Sequence, residues 1–131
     1  MYRIAGRTLG LVGFGRIARA LWRKMHGFGL ACTLVYDPMP PGEPVPGVEL
    51  ADLDRLCREA DFISLHAPLT PESRHLINRA RLRSMKPTAV LINTARGGLV
   101  DQSALVEALQ QGWIQGAGLD VFEREPPDPR N

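Results

Sequence analysis

The run Thr8-Leu9-Gly10-Leu11-Val12 passes without a break into Gly13-Phe14-Gly15-Arg16-Ile17-Ala18. That junction restricts the possible folds more than any other stretch of the chain. The apolar run suits a buried strand, the glycine pair permits a tight turn, and the residues after it carry helical spacing. Gly13 serves the turn, Gly15 lets the backbone come close to a pyrophosphate, and Ala18 is small enough for the helix to lie against the strand. The free N–H groups at such a helix start, with the positive end of its dipole, favour phosphate. A second apolar run, Thr33-Leu34-Val35-Tyr36, ends in Asp37, nineteen residues past Ala18. An acid there can accept hydrogen bonds from ribose hydroxyls. A G-x-G-x-x-A alone also occurs in turns made only for packing. Set between strand and helix, with an acid at this distance, it reads as a dinucleotide site.

The remaining chain keeps the same alternation. Residues 16–28 are expected to form an amphipathic helix with Ile17, Leu21, Met25 and Phe28 on the sheet and Trp22 beside that stripe. The proline-rich stretch 38–47 reads as a surface loop, followed by a short edge strand at Val48–Leu50. Asp52 can cap a helix bearing Leu53, Leu56, Cys57 and Ala60, and Phe62–Leu65 is the next strand. Thr70-Pro71-Glu72 opens a helical turn, and Asn78 can cap a helix running through Leu82 and Met85. Ala89-Val90-Leu91-Ile92-Asn93 is a continuous apolar run, as expected of a strand covered by helices on both faces. Asp101 begins a helix with Leu105, Ala108 and Leu109, and Ala117-Gly118-Leu119 is the last strand. Such alternation predicts an α/β fold, a doubly wound parallel sheet of the Rossmann kind, in a single domain over residues 1–131. In that architecture ligands sit outside the carboxyl ends of the strands. Gly13–Gly15, Asp37, His66–Pro68, Thr94–Gly97 and Asp120 are therefore expected on one rim.

Charge and composition remove other classes. A net charge of +2 with dispersed arginines offers no basic face for nucleic acid or an anionic membrane. Nowhere do 18 apolar residues run together, so no membrane partner is expected and the setting reads as cytoplasmic. Cys32 and Cys57 fall in an apolar strand and an apolar helix face, without metal-ligand spacing around them. They read as small core residues in a reducing compartment, and no metal is expected.

On the rim, Asn93-Thr94-Ala95-Arg96-Gly97-Gly98 places a guanidinium beside a permissive glycine pair. Its planar fork suits a carboxylate, although Arg96 can equally pair with Asp120 or Asp101. Asp120 can orient a nicotinamide amide or serve as a turn residue, and Glu125 is a surface acid unless a partner exists. His66 is a structural or cofactor-edge residue, whereas His26 and His75 read as solvated. None of the three is a convincing proton carrier.

Three longer motifs carry a resemblance. Residues Ala60-Asp61-Phe62-Ile63-Ser64-Leu65-His66-Ala67-Pro68-Leu69-Thr70, Ile92-Asn93-Thr94-Ala95-Arg96-Gly97-Gly98-Leu99-Val100-Asp101 and Gly116-Ala117-Gly118-Leu119-Asp120-Val121-Phe122-Glu123-Arg124-Glu125-Pro126 are similar, in order and spacing, to the NAD-dependent D-isomer-specific 2-hydroxyacid dehydrogenases. The resemblance spans about Gly6 to Pro127. It implies NAD as cofactor, with Gly13, Gly15, Arg16 and Ile17 at the pyrophosphate and Asp37 selecting NAD over NADP. His66, Pro68, Thr94, Arg96 and Asp120 would complete the cofactor contacts, Asp120 near the nicotinamide. Arg96 would bind the carboxylate of a small 2-hydroxy or 2-keto acid and polarise its carbonyl. Glu125 would hydrogen-bond a catalytic His and raise its pKa. In the family that His follows the Glu-x-Glu-Pro segment, and a separate substrate domain is built from flanking segments. The expectation is thus a cofactor domain, apparently lacking its last strand and inactive alone, which associates as a homodimer. The alternatives are a non-catalytic NAD-sensing or interaction module of the same family and, from the glycine-rich turn and the acid after the second strand, an S-adenosylmethionine methyltransferase.

Overall fold

The computed structural model describes residues 3–130, so Met1, Tyr2 and Asn131, the ends of the expected 1–131 domain, lie outside the described residues. The elements are β1 (Thr8–Val12), α1 (Arg16–Met25), β2 (Cys32–Tyr36), β3 (Glu49–Leu50), α2 (Leu53–Glu59), β4 (Phe62–Leu65), α3 (Arg79–Ser84), β5 (Val90–Asn93), α4 (Gln102–Gln110) and β6 (Gly116–Leu119). The strands form one six-stranded sheet in the order β3-β2-β1-β4-β5-β6, and every pairing is parallel. This is the doubly wound arrangement. Among the described residues no strand follows β6.

The helix starts follow local chemistry. Asp52, Asn78 and Asp101 each accept a hydrogen bond from the backbone N–H three residues on, at Arg55, Arg81 and Ala104. The Thr70-Pro71-Glu72 segment makes single turns, closed by Arg74 N to Thr70 O at 3.0 Å, rather than a helix.

Strand alternation divides the core between the two faces. Leu9 and Leu11 of β1 join Phe14, Ala18 and Val35 under α1. Val12, Leu34, Ile63, Leu65 and Leu91 point the other way, into the larger core beneath α2, α3 and α4. That distribution corrects the expectation for β5. Leu91 is buried, but Val90 and Ile92 on the opposite face are only half-buried. Among the described residues α1 packs over the β1–β2 side of that face and does not reach β5.

The expected stripe of the first helix needs a second correction. Ile17 is 73% exposed and Phe28 is 52% exposed. The inward residues are Ala18, Leu21, Trp22 and Met25. Ala18, fully buried, sets the phase because only a small side chain fits where helix and sheet come closest. Phe28 lies in a 3₁₀ turn, His26–Phe28, where the α-helical phase no longer applies. Ile17→Ala is therefore expected to change stability by less than about 0.5 kcal/mol in chemical denaturation. A loss of the size typical of a buried isoleucine, about 2 kcal/mol or more, would restore Ile17 to the core.

Candidate coenzyme site

Parallel register lines up the strand ends. Tyr36, Val12, Leu65, Asn93 and Leu119 are Cα partners in successive pairs across the sheet. The next residue of each strand is Asp37, Gly13, His66, Thr94 and Asp120, so the five expected rim segments stand in one row. The backbone ladder continues into that row, through Gly13 N to Tyr36 O (2.7 Å), His66 N to Val12 O (2.7 Å) and Asp120 N to Asn93 O (3.0 Å). At the usual strand spacing the row is about 19 Å long.

At one end of the row lies a cleft of about 380 Å³ whose walls include Gly13, Gly15, Tyr36, Asp37, Met39, His66 and Pro68. A second, of about 290 Å³, is lined by Ile17, His66, Ala67, Pro68, Thr94, Ala95 and Arg96. His66, Ala67 and Pro68 border both, so the two form one groove over the point where the strand order reverses. Exposed Ile17 is explained by this groove: it forms a wall of it. Arg16 is exposed beside it, at the first residue of α1. Asp120 and Glu125 are exposed and border neither cleft.

The glycine turn fits a phosphate. Gly13 has φ +90°, and a Cβ there would stand 2.9 Å from the His66 carbonyl carbon and oxygen. Around Gly15 a Cβ would meet nothing within 4 Å, so the space above that peptide is open. No side chain caps α1, and no acid stands in its first turn. Its leading N–H groups are thus left for an anion. Arg19, not anticipated from the motif, supports the turn: its Nε donates to Phe14 O at 3.0 Å and its guanidinium lies over the Phe14 ring.

Asp37 is held in place before any ribose is considered. Its Oδ2 accepts from Phe14 N at 2.9 Å and its Oδ1 from Met39 N at 2.8 Å. Each oxygen keeps a lone pair for a further donor. His66 Nε2 shares a hydrogen bond with Ser64 Oγ at 2.9 Å, and burial pushes the His66 pKa below the ordinary value. Burial therefore disfavours the protonated form of the ring at the middle of the groove.

At the far end, Arg96 pairs with neither Asp120 nor Asp101. Among the described residues its guanidinium makes one hydrogen bond, Nη1 to the carbonyl of Ala95, and the side chain is exposed on the cleft wall. The turn beneath it is braced by buried Asn93, whose Nδ2 donates to Arg96 O and whose Oδ1 accepts from Ala95 N. Only the position of Asn93 at a strand end hinted at that role. Glu125 has a partner, since its Oε1 accepts from Phe122 N at 3.0 Å.

His75 departs from the solvated reading. It has φ 51°, and its Nε2 bonds Glu123 Oε1. Burial raises the Glu123 pKa, but hydrogen bonds from His75 and Gln102 and the charges of His75 and Arg74 outweigh it, so the carboxyl stays below the ordinary range. His26 is exposed, with its ring edge against Trp22. Among the described residues no helix is long and apolar enough to cross a membrane.

Known proteins share this arrangement. The chain is 52% identical over 128 residues to the glyoxylate reductase of Thermococcus litoralis, covering 95% of this chain and 38% of that one. It is 48% identical to the hydroxypyruvate reductase of Thermotoga maritima, covering 95% and 40%. The crystal structure of NAD-dependent formate dehydrogenase from Staphylococcus aureus in complex with NAD superposes with a TM-score of 0.91 at 34% identity, over 98% of this chain and 39% of that chain. The chain thus spans about two fifths of the length of these relatives. The family model for the D-isomer specific 2-hydroxyacid dehydrogenase, NAD binding domain, matches residues 1–131. With the rim row, the open glycine turn and the fixed acid already in place, the chain belongs to this family, as its NAD binding domain.

Proposed function

We propose that residues 1–131 are the single cofactor-binding domain of an oxidoreductase acting on a small D-2-hydroxy or 2-keto acid. When bound, NADH would give a hydride to C2 of the keto acid and NAD+ would take one from C2 of the hydroxy acid. Gly13, Gly15, Arg16 and Ile17 hold the pyrophosphate, and Asp37 accepts from the adenosine ribose. His66 and Pro68 line the middle of the dinucleotide, with Thr94 and Asp120 toward its nicotinamide. Arg96 clamps the substrate carboxylate and polarises the reacting carbonyl, where its fixed positive charge offsets the developing negative charge. Glu125 orients a protonated His supplied from outside the described residues.

The observation that supports this reading best is the Arg96 guanidinium on the wall of the groove, exposed and bonded only to the Ala95 carbonyl, with no acid paired to it among the described residues. Such a cation suits a substrate carboxylate better than the needs of a module that only senses NAD. Of the histidines, His66 shares the cleft with Arg96, but its Nε2 is engaged by Ser64 Oγ and burial disfavours its protonated form, while His75 bonds Glu123 and His26 lies against Trp22. Fluorescence titration of the chain is therefore expected to show binding of NADH and none of S-adenosylmethionine. The same preparation is expected to give no NADH oxidation with glyoxylate or hydroxypyruvate. Turnover by the chain itself would show that these residues already hold a proton donor, and binding of the methyl donor in place of NADH would overturn the reading as a whole. A homodimer and a cytoplasmic setting belong to the same proposal, the second supported by the free thiols of Cys32 and Cys57.

A further inference from the structure

The segment after β6 carries Asp120 and Glu125; Asp120 ties its start to Asn93 through the backbone and the Glu125 carboxylate bonds only within the segment, to Phe122 N. Glu123 anchors it. Glu123 N donates to Gln102 Oε1 at 3.1 Å, and Glu123 Oε2 accepts from Gln102 N at 3.3 Å, a reciprocal pair with the first residue of α4. Glu123 Oε1 accepts from Arg74 Nη2 at 3.0 Å and bonds His75 Nε2. His75 in turn donates its backbone N–H to Gly98 O at 2.8 Å, in the turn that presents Arg96. One residue thus holds the Arg96 turn through its backbone and the post-β6 arm through its ring. The left-handed φ of 51° that permits both contacts is better tolerated by His than by most side chains.

We propose that His75 and Glu123 form a clasp that locks the Arg96 turn and the Asp120–Glu125 arm into one unit, and so act as positioning residues for the nicotinamide end of the groove. The inference rests on the coenzyme reading above. It separates the two ends of the site: the adenosine end, built on Gly13 and Asp37, owes nothing to the clasp, whereas the reactive end depends on it.

The test uses ADP-ribose, which lacks nicotinamide, beside NADH on the purified chain, with amide hydrogen exchange as a readout that needs no ligand. His75→Ala is expected to weaken NADH at least fivefold while leaving ADP-ribose within twofold. It is also expected to speed exchange at the Gln102 and Glu123 amides at least tenfold, with the Leu11 and Val35 amides unchanged. His75→Gln keeps an N–H donor at similar reach and carries a backbone cost at φ 51° like that of Ala, so it is expected to restore NADH binding and protection that His75→Ala loses. Equal weakening of both ligands by His75→Ala, or unchanged protection at Gln102 and Glu123, would overturn the clasp. If the unmodified chain binds neither ligand, the coenzyme reading fails, and the clasp then stands or falls on the exchange of those two amides.

Discussion

Gly97→Ala is expected to lower stability by about 1–3 kcal/mol, or about 4–10 °C in melting temperature for a chain of this size. A Cβ at this position would lie 1.9 Å from Phe122 O, 2.0 Å from Phe122 C and 2.5 Å from Glu123 N. All three are backbone atoms, so no rotamer change relieves the collision, and the arm has to lift from the Arg96 turn. The neighbouring glycine provides the control. At Gly98 the added carbon would meet only the end of the Leu69 side chain, at 3.0 Å, and Leu69 is 43% exposed and free to move. Gly98→Ala is thus expected to cost less than half as much. Equal melting temperatures for the two variants would show that the arm yields without cost. If Gly97→Ala loses the protection of the Glu123 amide as well, the steric contact and the His75 clasp hold the same arm.

That contact also marks where the chain stops being legible in one dimension. Strands were readable because apolar runs here end in turn chemistry, and three helix starts because Asp52, Asn78 and Asp101 cap them through bonds that reach only three residues. The rim row followed from one inference, parallelism, since all parallel strands end on the same edge. What pattern could not reveal was the partner of a group whose contact lies far along the chain. Gly97 reads as permissive until Phe122 is seen against it. His75 reads as solvated until Glu123 arrives across the fold. The phase of α1 failed for a different reason. Hydrophobic periodicity weights Ile17 above Ala18, whereas close approach to a sheet selects the smaller residue, and the larger one is left to wall the groove. Asp120 stands in the rim row at the end of β6, yet neither it nor Glu125 borders either cleft. Their relation to a ligand is set by how the arm is docked, which β6 alone does not determine.

Asp37→Ala is expected to weaken NADH by about 10- to 100-fold and to reduce the preference over NADPH. The unaltered carboxylate faces the groove with both oxygens fixed by Phe14 N and Met39 N. Ribose hydroxyls therefore meet a charged acceptor that needs no reorganisation, and hydrogen bonds to charged groups contribute about 1.5–3 kcal/mol, which converts to the stated range. A 2′-phosphate in the same place brings two negative groups together. At about 5 Å and an effective dielectric near 20, that repulsion is about 3 kcal/mol per pair of unit charges, and a phosphate monoester carries more than one. The residues that follow, Pro38, Met39 and Pro40, supply no positive charge to offset it. The unaltered chain is accordingly expected to bind NADH at least tenfold more tightly than NADPH, with the difference shrinking in the alanine variant because only the repulsion against NADPH is relieved. Parallel fluorescence titrations of both nucleotides measure this. Comparable binding of NADPH by the unaltered chain would contradict the selecting role of Asp37. Unchanged NADH affinity in the variant would instead place the ribose elsewhere, and with it the adenosine end of the groove.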